Sequence, residues 1–399
     1  MADTLRTAAV APSFAGRVLH PAGEGIAYGP GSASKELVGL LARVGVQRPF
    51  LVTTASVARS GGAAATAQIV GDALVGVFEG SREHTPEPVV LAAAAQARAA
   101  GADGLISLGG SSVVDLTKGV ALVLAEGEDF TRLRTHYRAG EASGGRRPRL
   151  DAAKLAHLSL PTTLSGAEFT GGVGITDVVA GAKRLYFDAK LTPRWVILDP
   201  ELCRATPAAL WAATGMKALA DTLEVLCSPR ATPLSDAVAA GGLRLLLAEL
   251  GPATADADNL AARGRCQFAV GMVLPQLAAV GVGLVAGLRH QLGGALGVGH
   301  GVASTIVLPH VLRWNRPACE PALHAAAVAA GCSGADELIE TVETLTRQLA
   351  LPVRLREVGV ARASLATVAE HVLADVALAT NPRPVTGAAS VLEVLEAAW

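Results

Sequence analysis

The stretch Leu105-Ile106-Ser107-Leu108-Gly109-Gly110-Ser111-Ser112-Val113-Val114-Asp115-Leu116-Thr117-Lys118-Gly119 decides how this chain folds. Leu105–Leu108 is an apolar run of strand length that passes straight into a glycine pair and two serines. A helical pattern starts at once and ends near Val123. A strand, a glycine turn and a helix N-terminus in that order aim backbone N–H groups at one point, a geometry that binds an anion. A glycine pair after a strand does not by itself separate a phosphate cradle from an ordinary turn. Asp115 and Lys118 follow at helical spacing, and Pro161-Thr162-Thr163 closes another strand with small polar side chains, so the turn does not stand alone.

The first half of the chain alternates short β-branched runs with Ala-rich helical stretches, the pattern of βαβ units. Strands are expected at Phe50–Thr54, Leu74–Phe78, Leu105–Leu108, Leu155–Leu160 and Trp195–Leu198. Helices are expected over Ala63–Asp72 and over Pro86–Ala100, the latter with proline in its first turn. A polar stretch from Glu126 to Lys154, containing GEASGGRRPR, reads as a surface loop or lid. After Pro200 the strand signals vanish. From Pro207 the period is helical, with breaks expected near Pro229, Gly251, Gly297 to Gly301, Pro317 and Pro352. The fold class is therefore an α/β domain over 1–200 followed by an all-α domain over 201–399.

Composition narrows the partners. Lys plus Arg (34) nearly balances Asp plus Glu (35), which argues against a nucleic-acid or anionic-membrane surface and leaves a small molecule. Aromatics are only 4% against 51% hydrophobic residues, so the cores are built from Ala, Val and Leu. The five cysteines, Cys203, Cys227, Cys266, Cys319 and Cys332, form no CxxC and read as reduced thiols in a cytoplasm. The segment Met1–Ala11 has no apolar core of a secretory signal. Phe268–Leu288 runs uncharged for a bilayer's length, but Pro275, Gln276 and four glycines within it favour a buried helix pair.

The landmarks GGSSVVDLTKG, LPTTLSGAE, VILDPEL and HGVASTIVLPHVLRWN, in that order, resemble the iron-containing alcohol dehydrogenase superfamily, with its dehydroquinate synthase-like fold. VFEGSREHTP (77–86) and GLRHQLGGALG look closest to its maleylacetate reductase branch, whereas the loop at 126–154 is more like the alcohol dehydrogenases proper. The resemblance runs from Tyr28-Gly29-Pro30-Gly31 to Asn381-Pro382-Arg383-Pro384. It implies that Gly109, Gly110, Ser111 and Ser112 hold a pyrophosphate and that Thr162, Thr163 and Leu164 flank the cofactor. Lys183 stands where the family often has a cofactor-side lysine, though a solvated lysine is an equal reading. In NAD-selective members an Asp ends the strand matched here by Leu51-Val52-Thr53 and meets the adenosine ribose. Thr54 stands there instead, so NADPH is expected to be tolerated as well as NADH. A homodimer is the expected assembly.

The same resemblance implies a metal held by one Asp and three His, the first two four apart on a helix in a GMDALTH-like run. This chain reads Gly215-Met216-Lys217-Ala218-Leu219-Ala220-Asp221, with Lys217 in place of the Asp and Asp221 in place of the His. Gly294 occupies the third position, and His300 in GHGVAS alone remains. Lysine is a cation and no ligand, so no metal is expected. A two-His-one-carboxylate set of Asp221, His290 and His300 is the alternative. Lys217 and Asp221 at i,i+4 stand either as a polarising ammonium with its orienting carboxylate or as an ion pair filling vacated space. His290 matches a family histidine near the nicotinamide and is read as a proton relay. Arg289 meets a substrate carboxylate or is solvated, and Glu168 supports a loop near the cofactor.

Three functions remain open. The first is a metal-independent NAD(P)H-dependent reductase or dehydrogenase acting on a carbonyl or activated C=C of a small, carboxylate-bearing substrate, with Lys217, Asp221, His290 and His300 as its catalytic set. The second is a lyase, isomerase or cyclase using Lys217, Asp221 and His290 as acid–base groups. The third is a catalytically silent subunit, against which the retained GGSS and PTT elements count.

Overall fold

The computed structural model describes residues 16–18, 23–135 and 147–399. Its first part is built as follows: β1 (Gly16–Val18), β2 (Gly25–Tyr28), α1 (Ser32–Arg43), β3 (Pro49–Val52), α2 (Ala55–Arg59), α3 (Gly62–Val70), β4 (Gly76–Phe78), α4 (Glu87–Ala99), β5 (Gly104–Gly109), α5 (Ser111–Glu126), α6 (Phe130–Leu133), β6 (Ala156–Pro161), β7 (Gly172–Asp177), β8 (Ala182–Phe187) and β9 (Trp195–Leu198). Among the described residues seven strands form one sheet in the order β1-β2-β9-β6-β5-β3-β4, and every adjacent pair is parallel except β1 with β2. The fully buried runs of β3, β5 and β9 explain why they lack the alternation of a half-exposed strand, since a parallel sheet is covered on both faces.

From β3 the chain crosses to β4 on one side and then returns to β5 on the other. A doubly wound sheet opens a crevice at the carboxyl ends of its strands where the winding reverses, here between β3 and β5. Side chains alternate across the sheet: Phe50 and Val52 join the core under α4 and α5, while Leu51 joins the core under α1 and α3.

The rest is helical: α7 (Ala208–Cys227), α8 (Pro233–Ala255), α9 (Leu260–Val273), α10 (Leu277–Val280), α11 (Leu284–Leu296), α12 (His300–Ala329), α13 (Ala335–Gln348), α14 (Leu365–Val372) and α15 (Ala388–Ala398). Their core extends onto the sheet through Ile26, Val196 and Leu198, so no gap in packing separates the strands from the helices.

Several expectations change. The β7–β8 hairpin and strands β1 and β2 are additional to those read from sequence. The hairpin's Gly, Lys and Arg residues blur the alternation that marks a strand. β3 ends at Val52, and Thr54 instead caps α2 by accepting the N–H of Val57 at 3.2 Å. The break expected near Gly251 is not made, because Leu246, Leu250 and Ala253 are fully buried and hold α8 through Pro252. The break near Pro317 becomes a kink, with Cys319 at φ −136° inside α12 between Pro317 and Pro321, whose rings clash with carbonyls one turn back.

In the 126–154 stretch α5 runs through Glu126 and α6 follows. Lys154 is buried against Glu126 at 2.7 Å and Asp188 at 3.2 Å, so the end of this stretch is anchored. Residues 136–146, with most of GEASGGRRPR, lie outside the described residues. The apolar segment 268–288 is divided among α9, α10 and α11, whose path bends by 99°. Among the described residues no single helix is long and apolar enough to cross a membrane.

Candidate active site

The phosphate-binding turn forms as its residues dictate. Gly109 takes φ +154°, a conformation that a side chain would strain, and a Cβ there would meet Val113 at 2.5 Å. A Cβ on Gly110 would meet Thr163 at 3.1 Å. Gly110 starts α5, and no side chain caps that helix's N-terminus. The two glycines thus let β5, α5 and Thr163 approach closely, and the uncapped first turn of α5 keeps its N–H groups for an anion such as a pyrophosphate. Thr162 donates its N–H to Gly109 at 3.0 Å, and Thr53 donates its hydroxyl to Leu108 at 2.7 Å, so the ends of β3, β5 and β6 are tied together. Thr54, with Ser56 at 2.9 Å, stands at the β3 edge of the same crevice. Leu164 is fully buried and donates its N–H to Thr214 on α7 at 3.2 Å. The residues therefore fit a dinucleotide.

Asp115 and Lys118 serve the scaffold. Asp115 accepts the N–H of Gly174 at 3.3 Å, and buried Lys118 donates to the carbonyls of Ala167 at 2.6 Å and Gly172 at 2.9 Å. Burial lowers the Lys118 pKa to about 8, against the opposing charges of Asp115 and Glu168. Glu168 is buried between Lys118 and Lys217, and desolvation raises its pKa to about 7.

The rewritten ligand positions converge on one carboxylate. Asp221 is wholly buried on α7; its Oδ2 lies 2.6 Å from Lys217 Nζ and its Oδ1 2.5 Å from Arg289 Nη1 on α11. Burial pushes the Asp221 pKa up, but the Arg289 and Lys217 charges outweigh it and hold the carboxyl below its usual range. Burial lowers the Lys217 pKa, partly offset by Asp221. Lys217 Nζ also donates to the Ser165 carbonyl at 2.8 Å. Arg289 is thus neither solvated nor presented to a substrate; it is sealed against Asp221. This partner went unread because the two residues lie far apart in the chain and no local period links them.

His290 Nδ1 lies 2.9 Å from Asp375 Oδ2, and its ring centroid is 6.0 Å from that of His300. Desolvation, and then the charges of Arg289, His290, Lys183 and Lys217, lower the His300 pKa to about 2, so its ring is neutral at ordinary pH. His300, expected among the catalytic groups, thus stands beside His290 as a largely buried, neutral ring. Lys183 is exposed on β8 and near enough for its charge to be felt by His300. Gly294 has open space where a side chain would stand. The alternative ligand set of Asp221, His290 and His300 is not assembled: among the described residues no three His, Cys, Asp or Glu side chains are grouped to hold a metal ion. Glu224, one turn beyond Asp221, accepts the N–H groups of Val285 at 2.8 Å and Ala286 at 3.3 Å, capping α11.

Comparison with known proteins adds the following. Residues 24–200 match the family model described as iron-containing alcohol dehydrogenase, and residues 211–399 match that of the Fe-containing alcohol dehydrogenase family, C-terminal. The chain is 32% identical over 364 residues to a 4-hydroxybutyrate dehydrogenase of Cupriavidus necator, covering 87% of this chain and 91% of that protein. It is 31% identical over 362 residues to a maleylacetate reductase of Burkholderia cepacia, covering 90% and 91% respectively. A crystal structure of 1,3-propanediol oxidoreductase superposes with a TM-score of 0.85 at 26% identity, covering 94% of this chain and 97% of that one.

Proposed function

Because this chain belongs to the iron-containing alcohol dehydrogenase family, we propose that it is a nicotinamide-dependent oxidoreductase that works without a metal ion. The observation that carries the metal-free reading is the occupation of both Asp221 oxygens by Lys217 and Arg289. A divalent ion would have to displace two cations to reach that carboxylate, so the residues present do not fit it. Two cations on one carboxylate leave one net positive charge. A divalent ion on one Asp and three neutral His leaves the same.

A bound dihydronicotinamide supplies the hydride. The chain orients the reactants, places charge and moves a proton. The Lys217 ammonium has three donors; Ser165 and Asp221 take two, and the third remains for a substrate oxygen in the cleft. Because the ammonium is held in a partly dry site, it stabilises charge developing on that oxygen without reorganising. His290, with its side chain 39% exposed, is the proton relay. The proposed substrate is a small carbonyl compound or activated alkene bearing a carboxylate. Both the hydroxybutyrate and the maleylacetate of the named relatives are carboxylates, and the exposed Lys183 supports that preference.

Protein purified without added metal is expected to hold far less than one iron or zinc per chain, and chelator is expected to leave turnover unchanged. Elemental analysis beside activity before and after chelation checks this; one tightly bound metal per chain, required for turnover, would overturn it. NADPH is expected to bind at least as well as NADH, because Thr54 and Ser56 present hydroxyls and no carboxylate at the ribose edge. Fluorescence titration with both coenzymes tests this. Exclusion of NADPH sinks the specificity claim, and binding of neither favours a non-redox enzyme or a silent subunit.

A further inference from the structure

We propose that Asp375 is a positioning residue that decides which ring nitrogen of His290 carries the proton, leaving Nε2 to exchange a proton with the reacting oxygen. The inference rests on His290 as the relay. Asp375 opens a single 3-10 turn at Val376–Thr380, 85 residues from His290, so no local pattern joins them. Its two oxygens have different partners. Oδ1 accepts the N–H of Ala377 at 2.9 Å, and Oδ2 lies 2.9 Å from His290 Nδ1. The Asp375 side chain is 9% exposed while the His290 ring is 39% exposed, so the pair is dry at its carboxylate end and open at its imidazole end. Burial pushes the Asp375 pKa up, but hydrogen bonds from His290, Ala377 and Gln291 and the His290 charge bring it below the usual carboxylate range. An ionised carboxylate only accepts, so Nδ1 must hold a proton and Nε2 is the nitrogen left for the substrate. Arg289, adjacent in sequence, is engaged by Asp221, and the neutral His300 ring packs beside His290.

In the reducing direction a bound dihydronicotinamide would supply hydride to the carbonyl carbon, and the Nε2 proton of the His290 imidazolium goes to the carbonyl oxygen. The ring is left neutral with its proton on Nδ1, and solvent restores the proton at Nε2. In the oxidising direction the Nε2 lone pair removes the alcohol proton. Both directions need the Nδ1–H form.

Asp375→Asn tests this without removing the turn's cap. The amide oxygen must stay at the Oδ1 position to accept the Ala377 N–H, which places the NH2 group against His290 Nδ1. That group donates, so Nδ1 must become the acceptor and the ring proton moves to Nε2. Long-range proton–nitrogen spectra of protein labelled with nitrogen-15 histidine, recorded at about pH 9, well above the ordinary histidine range, report the tautomer. The His290 signal is identified by its loss in His290→Gln. The expected result is Nδ1–H in the natural protein and Nε2–H in Asp375→Asn, with kcat reduced at least about tenfold in both directions and KM and coenzyme affinity within about twofold. Asp375→Glu, which keeps an acceptor, is expected to restore the Nδ1–H signal and most of kcat. An unchanged tautomer in Asp375→Asn overturns the proposal whatever the kinetics. A changed tautomer with normal kcat supports the positioning role but overturns His290 as the relay.

Discussion

Lys217→Ala is expected to lower kcat by about a hundredfold or more while leaving coenzyme affinity nearly unchanged. Losing one preorganised donor to a developing oxyanion costs about 3 kcal/mol, and the deletion touches nothing in the phosphate cradle at the end of β5. The structure makes this test clean. Asp221 keeps Arg289 at 2.5 Å, so the substitution does not strand a buried carboxylate and the protein should fold. Lys217→Asp, which restores the residue implied by the family pattern, is expected to stay inactive, because Arg289 still holds Asp221 and Gly294 supplies no ligand. An ion pair that merely fills space predicts normal turnover per folded molecule in Lys217→Ala. That outcome would end the mechanistic claim. Asp221→Asn is expected to reduce turnover less than Lys217→Ala, since Ser165 continues to hold the ammonium.

The largest effect on stability is expected at Asp221→Ala. Removing this carboxylate leaves the Lys217 and Arg289 cations facing each other in a buried site, and breaking a buried ion pair by deleting one partner costs about 3–5 kcal/mol. Denaturant unfolding of the two proteins measures it, and a loss within about 1 kcal/mol, the range of an ordinary exposed pair, would show that the triad holds little. The loss should depend on pH. The Asp221 pKa is held below its unfolded value of about 3.9, so its stabilisation is fully present above that pH and disappears as pH falls toward the folded value. The Asp221 share of the gap between the natural protein and Asp221→Ala should therefore be full near neutrality and shrink in acid.

Much of the scaffold was legible because it depends on local periods. The run into Gly109-Gly110 and the two serines announces a strand end and a helix start within a dozen residues, and both appear as β5 and α5. The strand Trp195–Leu198 and the helix ending before Pro229 follow from β-branched clustering and from proline's missing donor. The β7–β8 hairpin was not legible. Its partners are each other and the flank of α5, and its exposed face carries Lys183 and Leu185 without regular alternation. Helix α8 passed a glycine and a proline that should have stopped it, since burial of its far turn outweighs local propensity.

At the candidate site the division is sharper. Helical spacing alone puts Lys217 and Asp221 on one face of a helix, because four residues make about one turn. The residues themselves show that two ligand positions implied by the family pattern hold a lysine and a glycine. Packing of distant elements is what brings Arg289, 68 residues away, to the second oxygen of Asp221, and Asp375 to Nδ1 of His290. Helical periodicity selects neighbours a turn apart. Which distant charge meets a buried carboxylate depends instead on how α7, α11 and the turn after α14 pack, and desolvation in that packed site leaves each charge only the partner placed against it.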